Sequence, residues 1–335
     1  MYRKANDLLV VFDLFGVVFS KGLAGAIGEL EHIFQHDRTK IAEVYETHEP
    51  AFDLGEINER EFWRLVNRDL DRSVNARILS NLVISDYRVR KDVISLIKNV
   101  QRNFEVVVYS NYRHEWFQRL DRKHGISKVV PQIYISSITK ILKPDQEVFN
   151  LLSTEHSKPV ENIVLIDDNI ANIEGANSAG ATGLLYSSTD IIYEQMIKEL
   201  GCSLIEFDYY CKVLLIRGPN GSIFLQRRRK NSIMFFSDAL APVYVQESNE
   251  ISSKLATDSA GFKRLASLVT EPKHQKTISI SLPLDRWACV EVWIADVIDL
   301  DLFLNEFEDI EAVWPSTYAG DSSHDPVGMI IRSVS

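Results

Sequence analysis

Three groups of residues in this chain of 335 place acid, hydroxyl or amide side chains directly after apolar runs: Asp13, Ser110-Asn111 and Asp167-Asp168-Asn169. An aspartate can attack a phosphoryl centre or the carbon of an alkyl halide and hold it as a covalent ester that water later clears, so Asp13 is the candidate nucleophile. Three carboxylates meeting a phosphate dianion would repel one another by roughly 4 kcal/mol per unit-charge pair at about 4 Å and an effective dielectric near 20. A divalent cation is needed, and Mg2+ suits carboxylate, carbonyl and water oxygens. Singly, each group has a plain structural use. Asp13 would end a strand, Ser110-Asn111 would be a loop dipeptide, and Asp167-Asp168 would complement a helix N-terminus. Chemistry requires that they meet.

The flanking sequence supplies the means. Leu8 to Phe12, Glu105 to Tyr109 and Ile163 to Ile166 are apolar runs rich in β-branched residues, the pattern of strands buried on both faces of a parallel sheet. Helical spacing fills residues 20–100, and further helices are expected around 113–124, 144–155 and 190–200. Within the first block, Asn58 with Glu61 three residues on reads as a helix start, with the helix over about 59–70. Strands alternating with helices imply an α/β fold with a doubly wound parallel sheet. In such sheets the ligand crevice lies outside the carboxyl ends of the strands, where the three groups stand.

These words and their order resemble the haloacid dehalogenase-like (HAD) hydrolase superfamily over residues 8 to about 200. Val11-Phe12-Asp13-Leu14-Phe15-Gly16-Val17-Val18 resembles its first motif, Val108-Tyr109-Ser110-Asn111 its second and Lys143-Pro144-Asp145 its third. Ile166-Asp167-Asp168-Asn169, continuing to Asn172-Ile173-Glu174-Gly175-Ala176, resembles the fourth. The helical insertion, about 20–95, resembles the C1-type cap. The resemblance implies that Asp13, the backbone carbonyl of Phe15 and Asp168 ligate Mg2+, with Asp167 in or near the first shell. Lys143 would neutralise the nucleophile and the transferring group, while Ser110 and the amide of Asn111 would bind phosphoryl oxygens.

One position departs from the family's phosphatase pattern. A second aspartate usually follows the nucleophile by two residues and protonates the leaving group, and here Phe15 stands there. A general acid typically contributes about 10²- to 10⁴-fold. Three readings follow: a slow phosphatase of a small phosphorylated metabolite, with His114, or Glu56 from the cap, as substitute acid; a non-catalytic module that binds a phospholigand; or a metal-independent haloacid dehalogenase, which needs no leaving-group acid. The carboxylate pair at Asp167-Asp168 speaks against the last. Trp63 and Trp116 either pack the cap on the core or line the pocket.

Residues 202–335 are expected to form a separate α+β domain. Its opening hairpin, Val213 to Arg217 and Ile223 to Arg227 around Gly218-Pro219-Asn220-Gly221, faintly resembles a Nudix hydrolase, as does the stretch from Glu308 to Trp314. The acidic metal-binding helix of that family is missing from residues 247–271. Further strands are expected near 242–246, 277–282, 288–295 and 309–314, and a helix near 258–269. His324-Asp325 reads as a surface loop.

Composition narrows the partners. Hydrophobic residues at 45% and charged residues at 25% suit a two-domain globular chain. The net charge of -10 is shared evenly: 24 basic against 29 acidic residues through residue 200, then 13 against 18. General nucleic-acid binding is not expected, and the basic run Arg227 to Lys230 reads as a solvated strand end. No apolar run approaches the roughly 20 residues a membrane helix needs, and no signal peptide is evident. Three cysteines without metal-ligand spacing suit a reducing compartment, so a cytoplasmic location is expected. Protein partners and oligomeric state stay open.

Overall fold

The structure is a computed structural model that describes residues 7–20, 22–189, 191–207, 209–218, 223–228, 232–234, 270, 273–282, 286–298 and 310–313. Contacts divide the chain into two units, residues 1–187 with 198–204, and residues 188–197 with 205–335. The first unit begins with β1 (Leu9–Phe12), then four helices, α1 (Gly22–Phe34), α2 (Arg38–Asp53), α3 (Glu59–Asp69) and α4 (Ala76–Asp86). Next come α5 (Lys91–Val100), β2 (Glu105–Ser110), α6 (His114–His124), β3 (Ile133–Ile135) and the single turn α7 (Ser136–Thr139). It ends with α8 (Glu147–His156), β4 (Ile163–Asp167), α9 (Ile170–Ser178) and β5 (Thr182–Leu185), and α10 (Ile192–Leu200) has residues in both units.

Burial explains the uninterrupted apolar runs. The sheet order is β3-β2-β1-β4-β5 with every pair parallel, so β1 is the central strand. All four of its side chains are fully buried. Leu9 and Val11 of β1, Val107 and Tyr109 of β2, and Ile163 and Leu165 of β4 share one face, packed against Val148, Phe149 and Leu152 of α8 and Ala176 of α9. Fully burying such a side chain contributes about 1.5–3 kcal/mol, so this layer fixes the register on which the strand ends depend. The alternation of strand side chains carries the same face onward to Asp13 and Asp167.

The helical insertion is the bundle α1–α4, in which α1 packs on α2 and α4, and α3 on α2 and α4. The expected start of α3 is present: the Asn58 side chain accepts from the Glu61 amide at 3.0 Å. Trp63 and Trp116 are both buried, with ring centroids 6.2 Å apart, so they pack α3 against α6. The helix expected from residue 144 starts instead at Glu147. The Asp145 carboxylate takes the Glu147 amide at 3.0 Å, and Asp145 N bonds Leu142 O, which makes residues 142–146 a turn. The edge strands β3 and β5, of three and four residues, are too short to stand out as apolar runs.

The second unit holds a mixed sheet of β6 (Tyr209–Arg217), β7 (Ile223–Arg228), β8 (Ser232–Met234), β9 (Lys273–Leu282), β10 (Arg286–Asp296) and β11 (Ile310–Val313). Its order is β11-β7-β6-β10-β9, with β8 paired to β7. β6 and β7 form the expected antiparallel pair, whereas β6 and β10 run parallel. Pro219 to Gly221 of the turn, the stretches 242–246 and 258–269, Arg229, Lys230, Trp314 and His324-Asp325 lie outside the described residues. Among the described residues no helix is long and apolar enough to cross a membrane.

Gly175 of α9 tests how the loop before α8 is seated. A methyl group there would lie 2.4 Å from Pro144 Cβ and 2.6 Å from the Pro144 carbonyl oxygen. Overpacking of this kind costs about 1–3 kcal/mol. Gly175→Ala is expected to lower the urea midpoint of unfolding accordingly; an unchanged midpoint would mean that the loop yields freely.

Candidate active site

Register brings the chemistry-bearing residues level. Phe12 lies opposite both Val108 and Ile166, so the next residue, Asp13, is level with Tyr109 and Asp167. The ladder continues one bond further, from Asp13 N to Ile166 O at 2.9 Å. Lys143 enters from the side of α8. Its ammonium donates to Asp13 Oδ1 at 2.6 Å, to Asp167 Oδ2 at 2.6 Å and to the Tyr109 carbonyl at 2.9 Å. All three donor positions of the lysine are thereby used.

Asp167 is equally committed. Its Oδ1 accepts from Asn169 N at 2.8 Å, and its Oδ2 also accepts from Asn172 Nδ2 at 3.0 Å. Lys143 is aligned by the Asn111 side chain, which grips the lysine backbone at both ends: Asn111 Nδ2 donates to Lys143 O, and Lys143 N donates to Asn111 Oδ1, each at 2.8 Å. The sequence points to the backbone amide of Asn111; its side-chain clamp has no linear signature.

Asp13, Asp167 and Asp168 can present oxygens within 4.8 Å of one another. Gly16 makes the approach of Asp168 possible. It holds φ +101°, where glycine is favoured, and a Cβ there would fall 2.2 Å from an Asp168 carboxylate oxygen. The turn closes through Gly16 N to Phe19 O and Phe19 N to Leu14 O, so the Phe15 carbonyl takes no part in it. Ser110 Oγ, fully buried at the end of β2, has no hydrogen-bond partner among the described residues. A buried hydroxyl ordinarily has one. Carboxylates clustered in this way suit a hard divalent cation, and the orphaned hydroxyl suits an oxygen-rich ligand.

Electrostatics follow from burial. Desolvation pushes the Asp13 carboxyl up to about 7, with Lys143 pulling the other way and Asp167 and Asp168 adding to the rise. Lys143 is itself held above its ordinary value by the two aspartates, against the opposing effect of its burial. The His114 ring pairs with Gln118 at 2.8 Å, and Glu56 is exposed.

Phe15, half-buried, stacks on Tyr112 with centroids 3.6 Å apart, meets Tyr87 edge-on at 4.8 Å and lies 5.5 Å from Phe19. Next to Tyr112 is Arg113, which sequence reasoning missed. It is fully buried and ties the β2–α6 loop to α2, pairing with Asp53 and the Tyr45 hydroxyl and reaching Glu49 at 3.2 Å. Its guanidinium lies 4.4 Å from the ring centroids of both Tyr112 and Trp116 and 4.8 Å from that of Phe52. Lys140 adds bonds to the Leu54 and Gly55 carbonyls at 2.8 and 3.1 Å, and Arg119 pairs with Glu59 at 2.5 Å.

Burial raises the Asp53 carboxyl to about 6 although Arg113 opposes it. Removing one partner of a buried ion pair typically costs about 3–5 kcal/mol, and Arg113→Met is expected to cost that much at neutral pH. A carboxyl raised in the folded state penalises folding above its folded pKa, and the penalty disappears below its unfolded value. Stripped of Arg113, Asp53 rises further, so the loss should shrink as pH falls towards 4, measured by urea unfolding across pH. A pH-independent loss would assign the effect to packing alone.

The model of the haloacid dehalogenase-like hydrolases matches residues 8–180. Drimenol cyclase drtB of Aspergillus calidoustus is 27% identical over 116 residues, 35% of this chain and 22% of that protein, so the chain spans about a fifth of its length. Among solved structures, the HAD family enzyme bt-2542 of Bacteroides thetaiotaomicron in its magnesium complex is 18% identical, with a TM-score of 0.49 over 55% of this chain and 94% of that one. A dehalogenase with an intermediate complex is 14% identical, with a TM-score of 0.43 over 54% and 86%.

Proposed function

The chain belongs to the haloacid dehalogenase-like hydrolases, and from that premise we propose that it is a magnesium-dependent phosphatase of a small phosphorylated metabolite. The observation that carries the reading is the Lys143 ammonium shared by Asp13 and Asp167 at 2.6 Å each, with Asp168 alongside. Asp13 is the nucleophile: its Oδ attacks phosphorus, the bond to the leaving oxygen breaks, and water later releases inorganic phosphate from the aspartyl ester. Lys143 offsets the negative charge that gathers as the phosphoryl group approaches. Ser110 Oγ and the Asn111 amide receive phosphoryl oxygens, which supplies the partner the buried hydroxyl lacks.

Mg2+ would be held by Asp13, Asp168 and the Phe15 carbonyl, where it would neutralise the gathered carboxylates and polarise the phosphoryl group. Asp167, with its oxygens already engaged, serves first to anchor Lys143. The bundle α1–α4 is the cap, at about 20–95, on a domain of residues 1–200; residues 202–335 form a separate α+β domain, and the cytoplasm is the compartment. One observation favours a second reading, a phospholigand-binding module without turnover: the Phe15 ring, two residues beyond Asp13, has no proton to give.

The readings separate in one experiment, phosphate release from a panel of phosphorylated metabolites with and without magnesium, with Asp13→Asn in parallel. Magnesium-dependent release that the substitution reduces by at least about 10³-fold is expected, as for loss of a covalent nucleophile. Tight phosphate binding with no release would favour the module. Halide release without metal would favour a dehalogenase.

A further inference from the structure

We propose that this site selects phosphoryl groups whose leaving group departs as a stable anion, acyl phosphates foremost and aryl phosphates next, and discriminates against alkyl phosphomonoesters. The inference rests on the phosphatase reading above and names the substrate class for that site.

Three observations support it. Phe15, two residues beyond the nucleophile, cannot transfer a proton, and it is stacked on Tyr112 and flanked by Tyr87 and Phe19 in a continuous aromatic wall. The charged side chains gathered at Asp13 are Lys143, Asp167 and Asp168, which pair with or neutralise one another rather than protonate a leaving group. Lys143 spends all its hydrogens on Asp13, Asp167 and Tyr109, and Asp167 is saturated by Lys143, Asn169 and Asn172.

The consequence depends on the leaving group. An alkyl ester must expel an alkoxide, a strong base that departs readily only when it takes up a proton. An acyl phosphate expels a carboxylate. In that step an Asp13 oxygen forms a bond to phosphorus, the bond from phosphorus to the acyl oxygen breaks, and the electron pair leaves on the carboxylate with no proton moved. Water then attacks phosphorus, the bond to Asp13 breaks, Asp13 regains its carboxylate, and the hydrogens of the water leave with inorganic phosphate. With Phe15 where an acid/base would stand, this second half is slow, and it is common to every substrate. The rate constant kcat therefore converges across substrates, while kcat/KM, which reports the first half, keeps the full dependence on the leaving group.

The test uses the full chain with magnesium and measures kcat/KM for acetyl phosphate, a graded series of substituted phenyl phosphates and ethyl phosphate. Intact-mass measurement of the protein mixed with acetyl phosphate gives a second readout. A steep fall in kcat/KM with increasing leaving-group basicity is expected, together with a burst of about one leaving group per chain and a mass gain of one phosphoryl group that Asp13→Asn abolishes. Phe15→Asp should raise ethyl phosphate relative to acetyl phosphate by about 10²-fold or more, in line with restoring a general acid. Phe15→Leu, which opens the stack without adding an acid, should keep the wild-type slope, and it decides the matter together with the wild type if Phe15→Asp does not fold. Ethyl phosphate turned over as well as acetyl phosphate, or a flat series, would overturn the selectivity and leave the phosphatase reading standing. No turnover and no mass gain with any substrate would overturn both.

Discussion

One buried ammonium makes the rest of the first unit possible. Asp13 and Asp167 end adjacent parallel strands at the same level, so the sheet forces two carboxylates side by side in a place with little water. At an effective dielectric near 20, two such charges about 4 Å apart repel by roughly 4 kcal/mol, and each also loses hydration. Lys143 answers both costs with two 2.6 Å hydrogen bonds. Its own burial is tolerable because three acceptors surround it, and its backbone is fixed by the Asn111 clamp. Local devices farther away serve the same end. The turn at Asp145 and the close fit of Gly175 to Pro144 seat the loop that carries the lysine.

Where sequence and structure agree, one local signal was strong enough. The three long strands were legible because a strand covered on both faces leaves no room for polar residues, and Leu9 to Phe12 has none. Asn58 was legible because a capping side chain and its partner are three residues apart. The meeting of Asp13, Lys143 and Asp167 followed from the order of the motifs together with the rule for the ends of parallel strands.

The remainder depended on contacts between distant parts of the chain. Arg113 reads as one basic residue among polar neighbours, and its burial comes from Tyr45, Phe52 and Asp53, some sixty residues earlier. The aromatic wall behind Phe15 needs Tyr87 and Tyr112, which linear spacing cannot bring together. The strands β3 and β5 were missed because three or four residues carry too little periodicity to register.

The loop after β2 does two jobs within four residues. Ser110 ends β2 one residue past the level of Asp13, and Arg113 is buried among the side chains of α2. Any coupling across so short a segment is reciprocal: to the extent that a molecule held at Ser110 strengthens the grip of Arg113 on α2, bracing α2 strengthens binding at the strand end by the same factor.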